Sequence, residues 1–290
     1  MSAELVGSLA GILAAMAWAA NGLLIRAHGV GLHAVAINAL RCTIASVFFI
    51  AIWPYVSSGA PVPAQTWVFL ILSTLLGLGL GDSLYFEAIK CIGVARAMPI
   101  SMAYPVLAAL GAVVLLHEPL GPLAFLGVLL TLGGVYLVAA PPRSSQPVEG
   151  YWRGVLLASV AAVGWTCSTL LLRPLLQLVD VPTASAIRMP MASLLLWATA
   201  ARVGVLPHAK QLRGRALVAV AATGAVTVLA TVFFLESVAL AGAGRAAVLT
   251  ATAPLFGVPL AVLFLGERAS GRLGIGTVCS VVGVACLASS

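Results

Sequence analysis

The chain has 290 residues, 62% of them hydrophobic and only 8% charged, and its mean hydropathy is +1.13. A soluble domain carries about a quarter of its residues charged to cover its surface, so a water-soluble fold is excluded and lipid must be the main solvent. The net charge of +7 does not point to nucleic acid, because the basic residues are scattered between apolar runs, as an orientation signal would be.

A helix crossing a bilayer takes about 20 apolar residues. Ten apolar segments follow one another near 5–26, 33–56, 66–90, 93–116, 121–140, 153–173, 181–203, 214–240, 244–265 and 271–288. The first begins with Glu4 and no basic residue, and its run is too long for a cleaved signal, so it reads as a permanent span. Gly29, Gly31, the 61–63 stretch, Pro119 with Pro122, and Pro141 to Ser145 mark the breaks. The polar gap 141–152 reads as a linker between units 1–140 and 153–290. The expected fold is all-α and multi-pass, with ten transmembrane helices. Five cysteines lie inside apolar segments without metal-ligand spacing, which fits packing.

The two units are copies. Shifted by 147, residues 7–27 lie over 154–174 with eight of 21 positions identical, Trp18 on Trp165 and Arg26 on Arg173 among them. Arg41 meets Arg188 and Ser46 meets Ser193 at the same shift. Further on the shift is 149, as if the second copy gained two residues in its longer 203–214 connection. Glu87 then meets Glu236, Gly93 meets Gly242, Arg96 meets Arg245, Pro105 meets Pro254 and Glu118 meets Glu267. Five spans per copy is an odd number, so the second copy must lie upside down relative to the first. Inverted repeats of this kind recur in secondary transporters, with the substrate near the midplane between the halves. Connections after odd-numbered spans hold eleven Lys and Arg, and the opposite face only Arg173 and Arg245. The basic face is therefore expected in the cytoplasm and both termini outside.

Five-plus-five spans with a duplicated segment resemble the drug/metabolite transporter superfamily, and within it the EamA-type members. The resemblance covers nearly the whole chain. Its most characteristic stretches are Gly93-Val94-Ala95-Arg96-Ala97 to Pro105 to His117-Glu118-Pro119, and Gly242 to Arg245 to Pro254 to Gly266-Glu267-Arg268. It implies a small-molecule exporter in the cell (inner) membrane, acting on amino acids, other metabolites or drugs. No cofactor or metal is expected; the partners are substrate and lipid bilayer, with protons as the candidate coupling ion and a monomer or weak dimer as the assembly.

Ionisable side chains inside spans are costly, so each is a functional candidate. Arg41 and Asp82 lie at matching depths, about 12 Å from the cytoplasmic end at 1.5 Å per residue, and are expected to form an ion pair. Arg188 matches Arg41, but Thr231 stands where its acid would be; a substrate carboxylate or Glu236 could neutralise it. Asp82, Glu87 and Glu236 are the proton-coupling candidates. Glu87 has Lys90 three residues on, an ordinary helical ion pair.

Polar and aromatic groups expected to line the cavity are Trp18, Asn21, Tyr85, Ser101 and Tyr104 in the first copy, and Trp165, Ser168, Phe234, Thr250 and Thr252 in the second. Such walls suit a small amphipathic solute. Trp53, Tyr55 and Trp67 read as interfacial belt residues. Gly7 with Gly11 and Gly77 with Gly81 read as close-packing pairs. Pro99, Pro105, Pro254 and Pro259 are expected to kink spans 4 and 9. An intramembrane enzyme would need a catalytic constellation. No H-E-x-x-H, G-x-S-x-G or Walker A loop is present, which also argues against ATP-driven transport.

Overall fold

The computed structural model describes residues 3–28, 33–107, 121–140, 150–205 and 214–288, and every regular element among them is helical. In chain order they are α1 (Ala3–His28), α2 (Ala34–Val56), α3 (Thr66–Ile92) and α4 (Val94–Ser101). Next come α5 (Pro122–Ala139), α6 (Tyr151–Leu175) and α7 (Val181–Arg202). The last are α8 (Arg215–Ala241), α9 (Ala243–Thr250), α10 (Ala253–Leu265) and α11 (Gly271–Ala288).

Each expected segment meets a helix, but the described residues do not establish ten spans. Six stretches are long and apolar enough to cross a membrane: Ala3–Ala27, Ala34–Val56, Thr66–Ile92, Tyr151–Leu172, Leu217–Ala241 and Arg245–Leu265. Phe125–Ala139 and Gly271–Cys286 are shorter apolar helices. α7 is long enough, but Thr183, Ser185 and Arg188 make its first half polar. The fourth segment is described only as far as residue 107. The turn at His117 to Pro119, most of the 141–152 linker and much of the 203–214 connection lie outside the described residues.

On α1, small side chains face inward and most large ones outward: Ala14, Ala15 and Ala19 are buried while Leu5, Leu9, Ile12, Leu13 and Met16 are exposed. A soluble helix would reverse this. In lipid the large apolar side chains lose nothing by facing outward, and small residues let backbones approach. Trp53, Tyr55 and Trp67 are exposed toward the ends of their helices.

Equivalent helices meet in antiparallel fashion. α5 packs on α11 with Gly134 and Val138 beside Gly276, and Thr131 and Gly127 beside Gly283. A Cβ on Gly283 would come within 2.6 Å of the Gly127 carbonyl, so this contact requires glycine. α2 crosses α7 with the Trp53 Nε1 donating to Thr183 Oγ1 (3.1 Å) at one end. Toward the other end, Thr43 Oγ1 lies 2.8 Å from Ser193 Oγ and accepts from Trp197 Nε1 at 2.9 Å. Exchanging the copies also maps the packing of α1 on α8 onto that of α6 on α3.

The prolines of segments 4 and 9 do more than kink. Both helices stop and restart, at Met102-Ala103 and at Ala251-Thr252, positions equivalent at the shift of 149. Pro105 and Pro254 sit in the first turn after each break, where a missing N–H costs nothing. Pro99 lies inside α4 and Pro259 inside α10 without interrupting either. Proline has no N–H for the carbonyl four residues earlier and its ring clashes with it; for Pro105 and Pro254 those carbonyls belong to Ser101 and Thr250, where the two helices end.

Candidate functional site

The site begins in the middle of α3. Residues Thr74–Gly81 form a π-helical stretch, a rare widened turn that recurs at functional positions. Its glycines answer to the opposite copy: a Cβ on Gly77 would come within 2.9 Å of Ser168 Cβ, and one on Gly81 within 2.7 Å of Trp165 Cδ1. Gly7 and Gly11 likewise let α1 approach α8 and α9.

Asp82 follows directly. Its Oδ2 accepts from Arg41 Nη2, and its Oδ1 accepts from Trp165 Nε1 at 2.8 Å. Arg41 is 0% and Asp82 1% exposed. Arg41 also donates from Nε to Asn38 Oδ1 (2.8 Å) and from Nη1 to Thr227 Oγ1 (3.0 Å), with its guanidinium carbon 4.8 Å from the Phe86 ring centre. Thr227 Oγ1 accepts a second bond from Asn21 Nδ2 at 3.1 Å and donates to Thr223 O at 2.7 Å. Asn38 Nδ2 donates to the Leu78 carbonyl inside the π segment at 2.7 Å. A buried ion pair is tolerated only when its remaining donors and acceptors are satisfied. Here Asn38, Thr227 and Trp165, on three helices drawn from both copies, supply the partners.

Against this network lies a cavity of about 610 Å³, counting the space at its mouth. Of the residues expected from the sequence, Trp18, Asp82, Tyr104, Trp165, Ser168, Arg188, Phe234 and Thr250 line it. Trp18 and Trp165 face each other with ring centres 5.9 Å apart, and Tyr85 and Tyr104 approach Trp165 at 5.1 and 6.4 Å. Ser168 Oγ donates to Ser73 O at 2.8 Å and Thr250 Oγ1 to Ala246 O at 2.6 Å, so both hydroxyls are anchored to backbone.

The other candidates stand elsewhere. Arg41 and Asn21 lie behind the wall in the network just described. Tyr85 is buried behind Trp165, and Ser101 Oγ donates to Ala158 O at 3.0 Å, pinning α4 to α6. Thr252 Oγ1 donates back to Leu249 O at 2.6 Å, in the last turn of α9. Glu87 sits at one end of the bundle, 3.0 Å from Lys90 Nζ and 3.6 Å from Arg153 Nη2. Glu236 is half-buried on α8 outside the cavity lining, and among the described residues it does not pair with Arg188. Arg188 is 5% exposed; its Nη2 donates at 3.4 Å to Ser73 O, and its Nε has no partner.

Gly77, Leu78, Met102, Thr169, Leu172, Met189, Thr231 and Leu235 complete the wall and were not among the sequence candidates. Two signals could have found some of them. Thr169 and Leu172 follow Trp165 at helical spacings of four and seven, on the same face, and Thr231 is the register partner of Asp82.

The charged ends of the bundle are sorted. Arg26, Lys90, Glu87, Arg153 and Glu267 gather at one end: Arg26 Nη1 donates to the Lys90 carbonyl at 3.0 Å and its Nε lies 3.8 Å from Glu267. Glu4 with Arg245, at 3.6 Å, and Ser58 with Asp180 belong to the other.

An all-helical, duplicated membrane bundle with a mostly apolar cavity between its copies, edged by Asp82 and Arg188, is the frame of a solute transporter. The chain belongs to the EamA-like transporter family, whose model matches residues 5–140 and again 152–289. It is 26% identical to an uncharacterized transporter of Archaeoglobus fulgidus over 268 residues, 92% of each chain. It is also 30% identical to human solute carrier family 35 member G1 over 136 residues, 46% of this chain and 37% of that one. A crystal structure with 24% identity, covering 97% of this chain and 95% of its own, superposes with a TM-score of 0.69 and shares the fold.

Proposed function

We propose that the protein is a secondary transporter that exports a small amphipathic metabolite, such as an amino acid, by alternating access. The observation that carries this is the cavity: both copies build it, from α1, α3 and the α4 break on one side and α6, α7, α8 and α9 on the other. The antiparallel meeting of equivalent helices supports an inverted arrangement of two five-span units, 1–140 and 153–290. In such an arrangement, rocking one unit against the other opens the same site to each side in turn. The discontinuous helices at equivalent positions beside the cavity fit that scheme. The cytoplasmic face is the one carrying Arg26, Lys90, Arg153 and Glu267, which puts both termini outside. Asp82, the acid on the cavity wall, is the coupling site if flux follows protons; Glu87 and Glu236, off the wall, are secondary choices.

The test is efflux from proteoliposomes loaded with a panel of labelled amino acids, with and without an imposed pH gradient. Saturable efflux that the gradient accelerates in the wild type, and not in Arg41→Met/Asp82→Asn, supports transport and its coupling. Gradient-independent efflux removes the coupling and keeps a facilitator. The absence of efflux for every amino acid removes that substrate.

A further inference from the structure

We propose that the cavity binds a small organic monoanion, a carboxylate on an apolar or aromatic body, gripped by the Arg188 guanidinium. This rests on the transport reading above, keeps its small amphipathic solute, and replaces the amino acid given there as the example with a monoanion. The argument is a charge count. Arg41 and Asp82 cancel each other, and both oxygens of Asp82 already accept hydrogen bonds, from Arg41 and Trp165. Arg188 lines the same cavity, is 5% exposed, and meets no carboxylate within ion-pair distance among the described residues. Its Nε is buried without a partner, and the 3.4 Å donation to Ser73 O is long. Arginine stays protonated in proteins, and an uncompensated buried charge is costly. The site is short of one negative charge.

Duplication explains how this arose in the fold. Arg41 and Arg188 are register partners, but the acid that neutralises Arg41 is replaced in the second copy by Thr231, which lines the cavity. One guanidinium of the pair is structural and its counterpart is left for a ligand. A guanidinium fork matches a carboxylate in two parallel hydrogen bonds. The rest of the wall suits the body of such a solute: Trp18, Trp165, Tyr104 and Phe234 supply aromatic faces, and Leu172 and Met189 apolar ones. An ammonium finds no uncommitted acid among the described lining residues. A cation is therefore rejected, and a zwitterion leaves the charge unbalanced.

The experiment uses the full-length protein and four labelled probes sharing one ring: 3-phenylpropionate, 3-phenylpropanamide, phenylalanine and phenethylamine. Equilibrium binding is measured in detergent, and counterflow in proteoliposomes. The expected result is a preference of about tenfold or more for the carboxylate over its amide, since a site built for a charged group rejects an analogue lacking it. Arg188→Gln should abolish that preference and Arg188→Lys retain part of it. The wild-type comparison stands even if a variant fails to fold. Preference for the amide, the amine or the amino acid overturns the proposal while leaving a transporter, as does an unchanged preference in folded Arg188→Gln. Carboxylate binding without counterflow sustains the site and counts against transport. Absence of binding by all four probes overturns the proposal, and the transport reading is then judged by the amino-acid efflux alone.

Discussion

Arg41 and Asp82 form an ion pair buried on both sides, 0% and 1% exposed. Removing one partner leaves the other charged and almost wholly buried, which costs about 3–5 kcal/mol, whereas removing both charges is often neutral. Asp82→Asn and Arg41→Met are each expected to lower unfolding stability in detergent by roughly that amount. The double variant Arg41→Met/Asp82→Asn should recover most of the loss. A double variant whose loss equals the sum of the two single losses would mean that the charges contribute independently. Trp165→Phe keeps an aromatic ring beside Trp18, Tyr85 and Tyr104 but deletes the Nε1 donor to Asp82. Losing a hydrogen bond to a charged group costs about 1.5–3 kcal/mol, and a melting curve unchanged from the wild type would show that another donor replaces it.

At the scale of the elements, the second copy caps a helix of the first. Gly93 turns at φ +81°, and the Glu267 carboxylate from the second copy accepts from the N–H groups of Val94 and Ala95 at 2.8 and 2.9 Å. A Cβ on Gly93 would come within 2.7 Å of that carboxylate, so both the backbone and the space require glycine. Glu267→Ala removes an acid from a helix N-terminus and should cost about 1–2 kcal/mol, read as a lower melting midpoint; no change would make the cap dispensable. Asp180 plays a similar part at the start of α7, accepting from Thr183 N at 2.8 Å and from Ser58. Burial pushes its carboxyl up, but the donors from Ser58 and Thr183 outweigh it and hold the group below its ordinary value of 3.8. A carboxyl with a depressed folded value stabilises above the unfolded value, and that contribution fades as pH falls through the folded one. Asp180→Asn keeps a capping side chain without titrating, so the melting midpoint of the wild type should fall more between about pH 7 and about pH 3 than that of the variant. Parallel curves would show that the contact does not depend on ionisation.

For the whole molecule, the decisive question is which end faces the cytoplasm. Single cysteines placed at Ser58 and Lys90 in a cysteine-free background probe the two ends. Ser58→Cys should react with an impermeant maleimide on intact cells and Lys90→Cys only after permeabilisation. The opposite pattern would invert the assignment made from the basic residues. The same ends define the stroke of alternating access. The cluster of Arg26, Lys90, Glu87 and Glu267 ties α1, α3 and the turn before α11 together on one side. Breaking it with Arg26→Ala should raise accessibility of the cavity from that side, measured by labelling of a cysteine at Ser168; unchanged labelling would leave the cluster a purely structural tie.

The amino-acid sequence by itself determined the solvent, the helical class and the duplication. A chain with so few charges must face lipid, and backbone groups in lipid must be paired within helices or closed barrels; coincident Trp, Arg, Pro and Glu in one register mark the copies. The pairing of Arg41 with Asp82 was legible for the same reason, because a charge in the membrane needs a partner at its own depth. Only the tertiary structure decided which polar groups face the cavity. A polar residue on a helix is equally satisfied by a neighbouring helix, as Ser101 is, or by its own backbone, as Thr250 is while also lining the wall. The π turn of α3 rotates the face that follows it, and the breaks at Met102 and Ala251 redirect two more helices, so helical spacing stops predicting direction where it matters most. Side chains brought together from five helices of two copies, as around Asp82 and Arg188, owe their geometry to packing between distant segments, and no local pattern in the chain encodes it.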